Sequence, residues 1–165
     1  MLDAGALIEK HRAKGVLLDA NLLVLLLVGT VNRLRIPAFK RTRNFTVDDF
    51  DLLCRLVDWL GRLIATPHVL SQANDLADLS GEELTKVRKL FRIVVVEQTE
   101  ESYDPSRELV VDPLFERHGL ADASIAMVCS RGVLVLTADL QLQLALQRRG
   151  ADALNFNHVR ALRWI

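Results

Sequence analysis

Five short apolar runs recur along this chain, each followed by a stretch that reads as helix. The runs are Val16–Asp19, Leu63–Thr66, Ile93–Glu97, Val133–Thr137 and Ala153–Phe156. Runs of four or five apolar residues suit strands buried on both faces. Strands alternating with helices need crossover connections, and those connections make the sheet parallel and right-handed. The pattern therefore predicts an α/β fold with one five-stranded parallel sheet and helices on both faces.

Between the runs the helix signals are specific. Asn21–Val28 is apolar all round, so that helix is mostly buried. Thr46 caps the next helix, and Asp48 and Asp49 in its first turn favour the helix dipole. Pro67 occupies a first helical position ahead of His68–Leu79. Ser80 caps Glu82–Phe91. Pro113–His118 ends at Gly119, Asp122–Ser130 ends at Gly132, and Leu140–Arg149 ends at Gly150. A last helix runs from about His158 to the C-terminus. Nothing in the chain reads as a repeat, a low-complexity tract or an interdomain linker, so residues 1–165 are expected to form a single domain.

Charge and composition exclude several classes of function. The 165 residues carry 21 Lys+Arg and 21 Asp+Glu, a formal net charge of zero. That argues against a globally basic nucleic-acid binder while leaving a local basic patch open. Half of the residues are hydrophobic and the mean hydropathy is +0.19, which suits a sheet covered on both faces. Leu22–Val28, the most apolar segment, is too short to span a bilayer. Asp3 and Glu9 argue against a secretory signal. Cys54 and Cys129 lie among apolar neighbours and read as buried thiols, consistent with a cytoplasmic protein.

Three aspartates stand out against this frame. Asp19 ends the first apolar run, Asp139 follows the fourth, and Asp122 opens a helix. In open parallel sheets, ligands bind beyond the carboxyl ends of the strands, where the winding reverses. Strand order 3-2-1-4-5 puts the first and fourth strands side by side and brings Asp19 and Asp139 to that point. Asp19 and Asp139 each have a simpler role as a helix N-cap. Asp122 is harder to explain that way. On a helical wheel it shares a side with Ile125, Ala126 and Cys129, where a charge needs a partner. Carboxylates gathered at such a place commonly hold a hard divalent cation such as Mg²⁺.

Further candidates surround these acids. Val69, Ala73 and Leu76 define the inward face of the helix after Pro67; Gln72 flanks it and Asp75 lies one turn on. An ordinary boundary amide is the simpler reading of Gln72. Asp78 reads as a solvated charge and His68 as a surface or satisfied histidine. Asn21 and Thr137 are placed to orient the acids. Between Ala20 and Val47 no acidic residue occurs, yet Arg33, Arg35, Lys40, Arg41 and Arg43 all do. They are candidates for gripping a phosphate backbone, or else form a solvated basic loop. The chain has no GxxxxGK[ST], no GxGxxG after the first run and no second carboxylate at Asn21. No Ser, Cys or His constellation suggests a covalent nucleophile.

Three motifs together resemble the PIN-domain nucleases. Leu17-Leu-Asp19-Ala-Asn21 resembles that family's opening strand, Gly119-Leu-Ala-Asp122 its central acidic motif, and Leu136-Thr-Ala-Asp139 its late Thr-x-Asp motif. Order and spacing fit from Val16 to Phe156. The resemblance implies a metal-dependent ribonuclease that uses Mg²⁺ or Mn²⁺, held by Asp19, Asp122 and Asp139, to cleave single-stranded RNA. Many bacterial members are toxins neutralised by an antitoxin protein, and homodimers are common. The helix Thr66-Pro-His-Val-Leu-Ser-Gln72 resembles the one in which such proteins carry a glutamate; here that position is Gln72. The alternative is a catalytically degenerate PIN-like module that binds nucleic acid or a protein partner.

Overall fold

A computed structural model describes residues 3–162. Its sheet has five strands, all parallel, in the order β3-β2-β1-β4-β5. The strands are β1 (Val16–Leu18), β2 (Leu63–Ala65), β3 (Thr99–Glu101), β4 (Leu134–Thr137) and β5 (Ala153–Asn155). Every residue of β1, β2, β4 and β5 is buried, so both faces of the sheet are covered. That is why these strands read as continuous apolar runs instead of alternating ones.

The third strand differs from the sequence expectation. Ile93–Glu97 is not a strand. Helix α5 (Gly81–Ile93) continues through a π-helical turn at Val94–Gln98, and β3 follows it. The β-branched run Val94-Val-Val96 has one side to bury: Val94 is in the core, while Val96 is 75% exposed. The strand itself is polar. It pairs along one edge only, with Thr99 opposite Leu63 and Glu101 opposite Ala65, so it needs no apolar face of its own.

Helix α2 (Ala20–Val31) is the centre of the packing and contacts α3 (Val47–Leu60), α4 (Pro67–Leu76) and α5. Eight of its residues are buried, from Ala20 to Gly29. Gly29 is required by close approach: a Cβ there would lie 2.3 Å from Cδ2 of Phe50 on α3. Helix α3 opens with a capping box. Thr46 Oγ1 accepts from the Asp49 amide at 3.1 Å, and Asp49 Oδ2 accepts from the Thr46 amide at 2.8 Å.

Helix α7 spans Pro113–Cys129 but is interrupted at Gly119, whose φ of 85° and ψ of −175° are non-helical. The chain thus restarts its helix just before Asp122, close to the sequence expectation of two helices. Helices α8 (Leu140–Arg148) and α9 (Phe156–Ala161) complete the carboxyl half. The last helix begins at Phe156, two residues before the expected start. Its expected continuation through residues 163–165 lies outside the described residues. Among the described residues, no helix is long and apolar enough to cross a membrane.

Candidate metal centre

Parallel strands send all their carboxyl ends to one edge, and at that edge each strand hands over to a helix. Four of the handover residues are polar caps. Asp19 caps α2, Thr66 caps α4, Asp139 caps α8 and Asn155 caps α9. Capping accounts for part of this row, because each side chain satisfies an orphan amide of the first helical turn. Asp19 Oδ1 accepts from the Leu22 amide at 2.9 Å, and Asp139 Oδ1 accepts from the Gln141 and Leu142 amides at 2.7 and 3.2 Å.

Capping does not account for the rest. The second oxygen of Asp19 reaches across to β4, where Oδ2 accepts from the Ala138 amide at 2.8 Å and from the Thr137 hydroxyl. Thr137 Oγ1 in turn accepts from the Asp139 amide at 2.9 Å. Thr137 is fully buried and so ties the two strand-end acids together. Adjacent pairing of β1 with β4 makes this link, and both caps use only part of their carboxylates.

Asp122 caps nothing. It comes from α7, yet it lines the same cavity as Asp19 and Asp139, with Asn21, Gln72, Leu76 and Leu142 nearby. The cavity has a volume of about 270 Å³. Burial pushes the Asp122 carboxyl up to about 7, and the charges of Asp139 and Asp19 add to the effect. Burial also raises Asp19, against the hydrogen bonds from Thr137, Leu22 and Ala138. Three acids from three separate elements therefore crowd one space, and the charge of Asp139 helps to raise both Asp19 and Asp122.

Two contacts set the position of α7 here. Ser124 Oγ lies 2.7 Å from Thr66 Oγ1, inside the core, and Ser124 also donates to the Ala121 carbonyl at 2.6 Å. This links the helix of Asp122 to the cap of the Gln72 helix. His118 Nδ1 stands 3.6 Å from Asp122 Oδ2, so a protonated imidazole would share that carboxylate's charge. The i, i+4 spacing of His118 and Asp122 was legible in sequence but was not singled out. The Thr66–Ser124 contact had no sequence signal, because 58 residues separate its partners.

The other candidates divide. Asn21 and Gln72 line the acid cavity. Asp75 does not; it is exposed and accepts from the neighbouring Asn74 side chain at 3.3 Å. Among the basic residues, Arg33 forms a two-pronged pair with Asp51 at 2.6 and 2.8 Å. Arg35 pairs with Glu83 at 3.2 Å and Lys40 with Asp78 at 2.8 Å. Asp78 is thus ion-paired, not simply solvated, and Lys40 holds its carboxyl below the usual range. Arg43 is exposed, and neither its side chain nor that of Arg41 makes a hydrogen bond or ion pair among the described residues. His68 Nε2 lies 3.1 Å from Ser106 Oγ, whereas its Nδ1 is buried without a partner among the described residues; the side chain lies outside the acid cavity. Both cysteines are free thiols; burial pushes Cys54 up to about 11 and Cys129 to about 12, which makes them inert.

Three carboxylates with an amide at the rim form the donor set of a hard, oxygen-seeking cation. One oxygen of Asp139 and both of Asp122 accept no hydrogen bond among the described residues. Among the described residues, no group of three or more His, Cys, Asp or Glu side chains is placed to hold a metal ion as the side chains stand. Compared with known proteins, the chain matches no family model, no curated protein and no solved structure.

Proposed function

We propose that this chain is a PIN-like ribonuclease that uses Mg²⁺ or Mn²⁺ to hydrolyse phosphodiester bonds of single-stranded RNA. One observation carries the reading: Asp19, Asp122 and Asp139 line a single cavity although capping explains only two of them. A half-buried carboxyl raised to about 7, with His118 and no lysine or arginine beside it, is poorly suited to a purely structural role.

Asp19, Asp122 and Asp139 would hold the ion, with the Gln72 amide oxygen at the rim. When bound, such a cation stabilises negative charge on phosphate oxygens and makes water a better nucleophile. The protein's own groups prepare the site. Thr137 fixes Asp19 by donating its hydroxyl and fixes Asp139 by accepting its amide. With its carboxyl raised to about 7, Asp122 would give up its proton to serve as a charged ligand. Leu76 and Leu142 form an apolar part of the wall and limit water access.

Gln72 supports a second reading. An amide supplies one neutral oxygen where a carboxylate would supply charge, which favours a binding module without turnover. Cleavage of a labelled single-stranded RNA in Mn²⁺ separates the two. A nuclease cuts in Mn²⁺ and not in EDTA, and Asp139→Asn lowers its rate by more than about a hundredfold, beyond the usual cost of losing an outer-sphere partner. RNA binding without metal-dependent cutting favours the module. Cutting at wild-type rate by Asp139→Asn removes Asp139 from the site.

A further inference from the structure

A second cavity, of about 610 Å³, adjoins the acid cavity, and Asn21 lines both. Its wall includes Ala138, the residue between Thr137 and Asp139. Its polar lining contrasts with that of its neighbour. Arg41, Arg160, Asn44 and Asn157 contribute, and no carboxylate does. One space is anionic and the next cationic, with a shared edge.

The two arginines differ. Arg160 is committed: its Nη1 donates to Asp49 Oδ2 at 2.8 Å and to the Asn44 carbonyl at 3.1 Å. Its guanidinium also lies 5.3 Å from the centroid of Phe45. Asp49 is itself held by the capping box of α3, so Arg160 is a fixed wall with its charge offset. Among the described residues the Arg41 side chain makes no hydrogen bond or ion pair; its charge helps to hold the Asp78 carboxyl low, but its five N–H donors remain available. Of the five cations in the basic segment, three are neutralised by Asp51, Glu83 and Asp78. Arg41 alone of the five lines a cavity beside the acids. Asn157 is oriented by donating Nδ2 to the Ala138 carbonyl at 3.1 Å, which leaves its side-chain oxygen as an acceptor.

We propose that this second cavity is the subsite for the sugar–phosphate of the nucleotide next to the one at the acids, in a single strand of RNA. The inference rests on the nuclease reading of the acid cavity. Arg41 holds the phosphate, because a guanidinium fork matches two phosphate oxygens. The Asn157 side-chain oxygen accepts from a ribose hydroxyl, the group that distinguishes RNA from DNA. The strand crosses at Asn21 and Ala138.

Anisotropy of a fluorescent single-stranded RNA, titrated with the full chain in EDTA over a range of salt, tests the subsite apart from catalysis. Arg41→Ala should weaken binding about tenfold, and its log–log salt slope should fall by about 0.7, the release from one single-strand phosphate. Arg92→Ala removes an exposed charge of α5 that lines neither cavity, and it should leave affinity and slope near wild type. Asn157→Ala removes the acceptor and should narrow the preference for RNA over the matching DNA. Wild-type affinity and slope in Arg41→Ala, or equal losses in Arg41→Ala and Arg92→Ala, would overturn the subsite, as would failure of the wild-type chain to bind RNA. Cleavage in Mn²⁺ is then read on the same strand. Binding with the Arg41 dependence but without cleavage keeps the phosphate subsite and removes the hydrolytic reading.

Discussion

At the scale of single residues, Asp122 decides most. Its carboxyl titrates near 7 in the folded chain and near 3.8 when free, so between those values the folded state holds the extra proton. Stability then falls as pH rises from about 4 to about 7. Asp19, also raised, acts with the same sign. Metal-free wild-type protein should therefore melt lower at pH 8 than at pH 5. Asp122→Asn should flatten that dependence and raise the pH 8 midpoint by about 2–4 °C for each kcal/mol recovered. Thermal melts in EDTA at the two pH values check this, and an unchanged slope would mean that Asp122 is already ionised. Gln72 supplies the second residue-scale expectation. It lines the acid cavity with a neutral amide, so Gln72→Glu should add a charged ligand and tighten Mn²⁺ binding roughly tenfold, about 1.4 kcal/mol. Calorimetric titration reads it directly; equal affinities would place the side chain outside the ion's reach.

At the scale of elements, the break in α7 matters more than the helix. Gly119 takes φ 85° and ψ −175°, a region open to glycine and costly to any residue with a Cβ. No atom lies within 4 Å of a Cβ built there, so the cost of substitution is conformational, not steric. The break starts a new helical segment whose first turn carries Asp122. Gly119→Ala should cost about 1–3 kcal/mol in urea unfolding. It should also weaken Mn²⁺ binding, because a continuous α7 would turn Asp122 away from Asp19 and Asp139. A variant that loses stability but keeps its Mn²⁺ affinity would separate the break from the site. The handover elements follow the same logic. Asp19 and Asp139 reach the cavity because β1 and β4 are neighbours and each ends in a cap.

At the scale of the whole molecule, an ion that binds only the folded chain stabilises it by mass action. A free Mn²⁺ concentration a hundred times its dissociation constant contributes about 2.7 kcal/mol. For a chain of this size that is a rise of about 5–11 °C in the melting midpoint. The shift should appear at pH 8, shrink at pH 5 where Asp122 holds its proton, and vanish in Asp139→Asn. Differential scanning fluorimetry with and without Mn²⁺ makes the comparison, and a shift that survives in Asp139→Asn would locate the ion elsewhere. The zero formal charge has a second consequence at this scale. Affinity for RNA must come from a local patch, and ion pairs decide where that patch is.

What the chain dictates locally could be read from it directly. Apolar runs, caps and helix stops are short-range signals, and they were enough for the parallel sheet; its strand order followed from placing Asp19 and Asp139, at two strand ends, beside one switch point. They failed where tertiary context outweighs local preference. Ile93–Glu97 has the composition of a strand, yet the polar Thr99–Glu101 is the strand, because β2 offers its free edge to that segment's backbone. The same limit governs the charges. Sequence put five cations in one segment, but only folding brought Asp51, Glu83 and Asp78 to three of them and left Arg41 unpaired beside the acids. Asn157 and Arg160 join Arg41 across more than a hundred residues. An ion pair or a shared cavity depends on distance in space, and that distance has no counterpart in the local pattern of a chain.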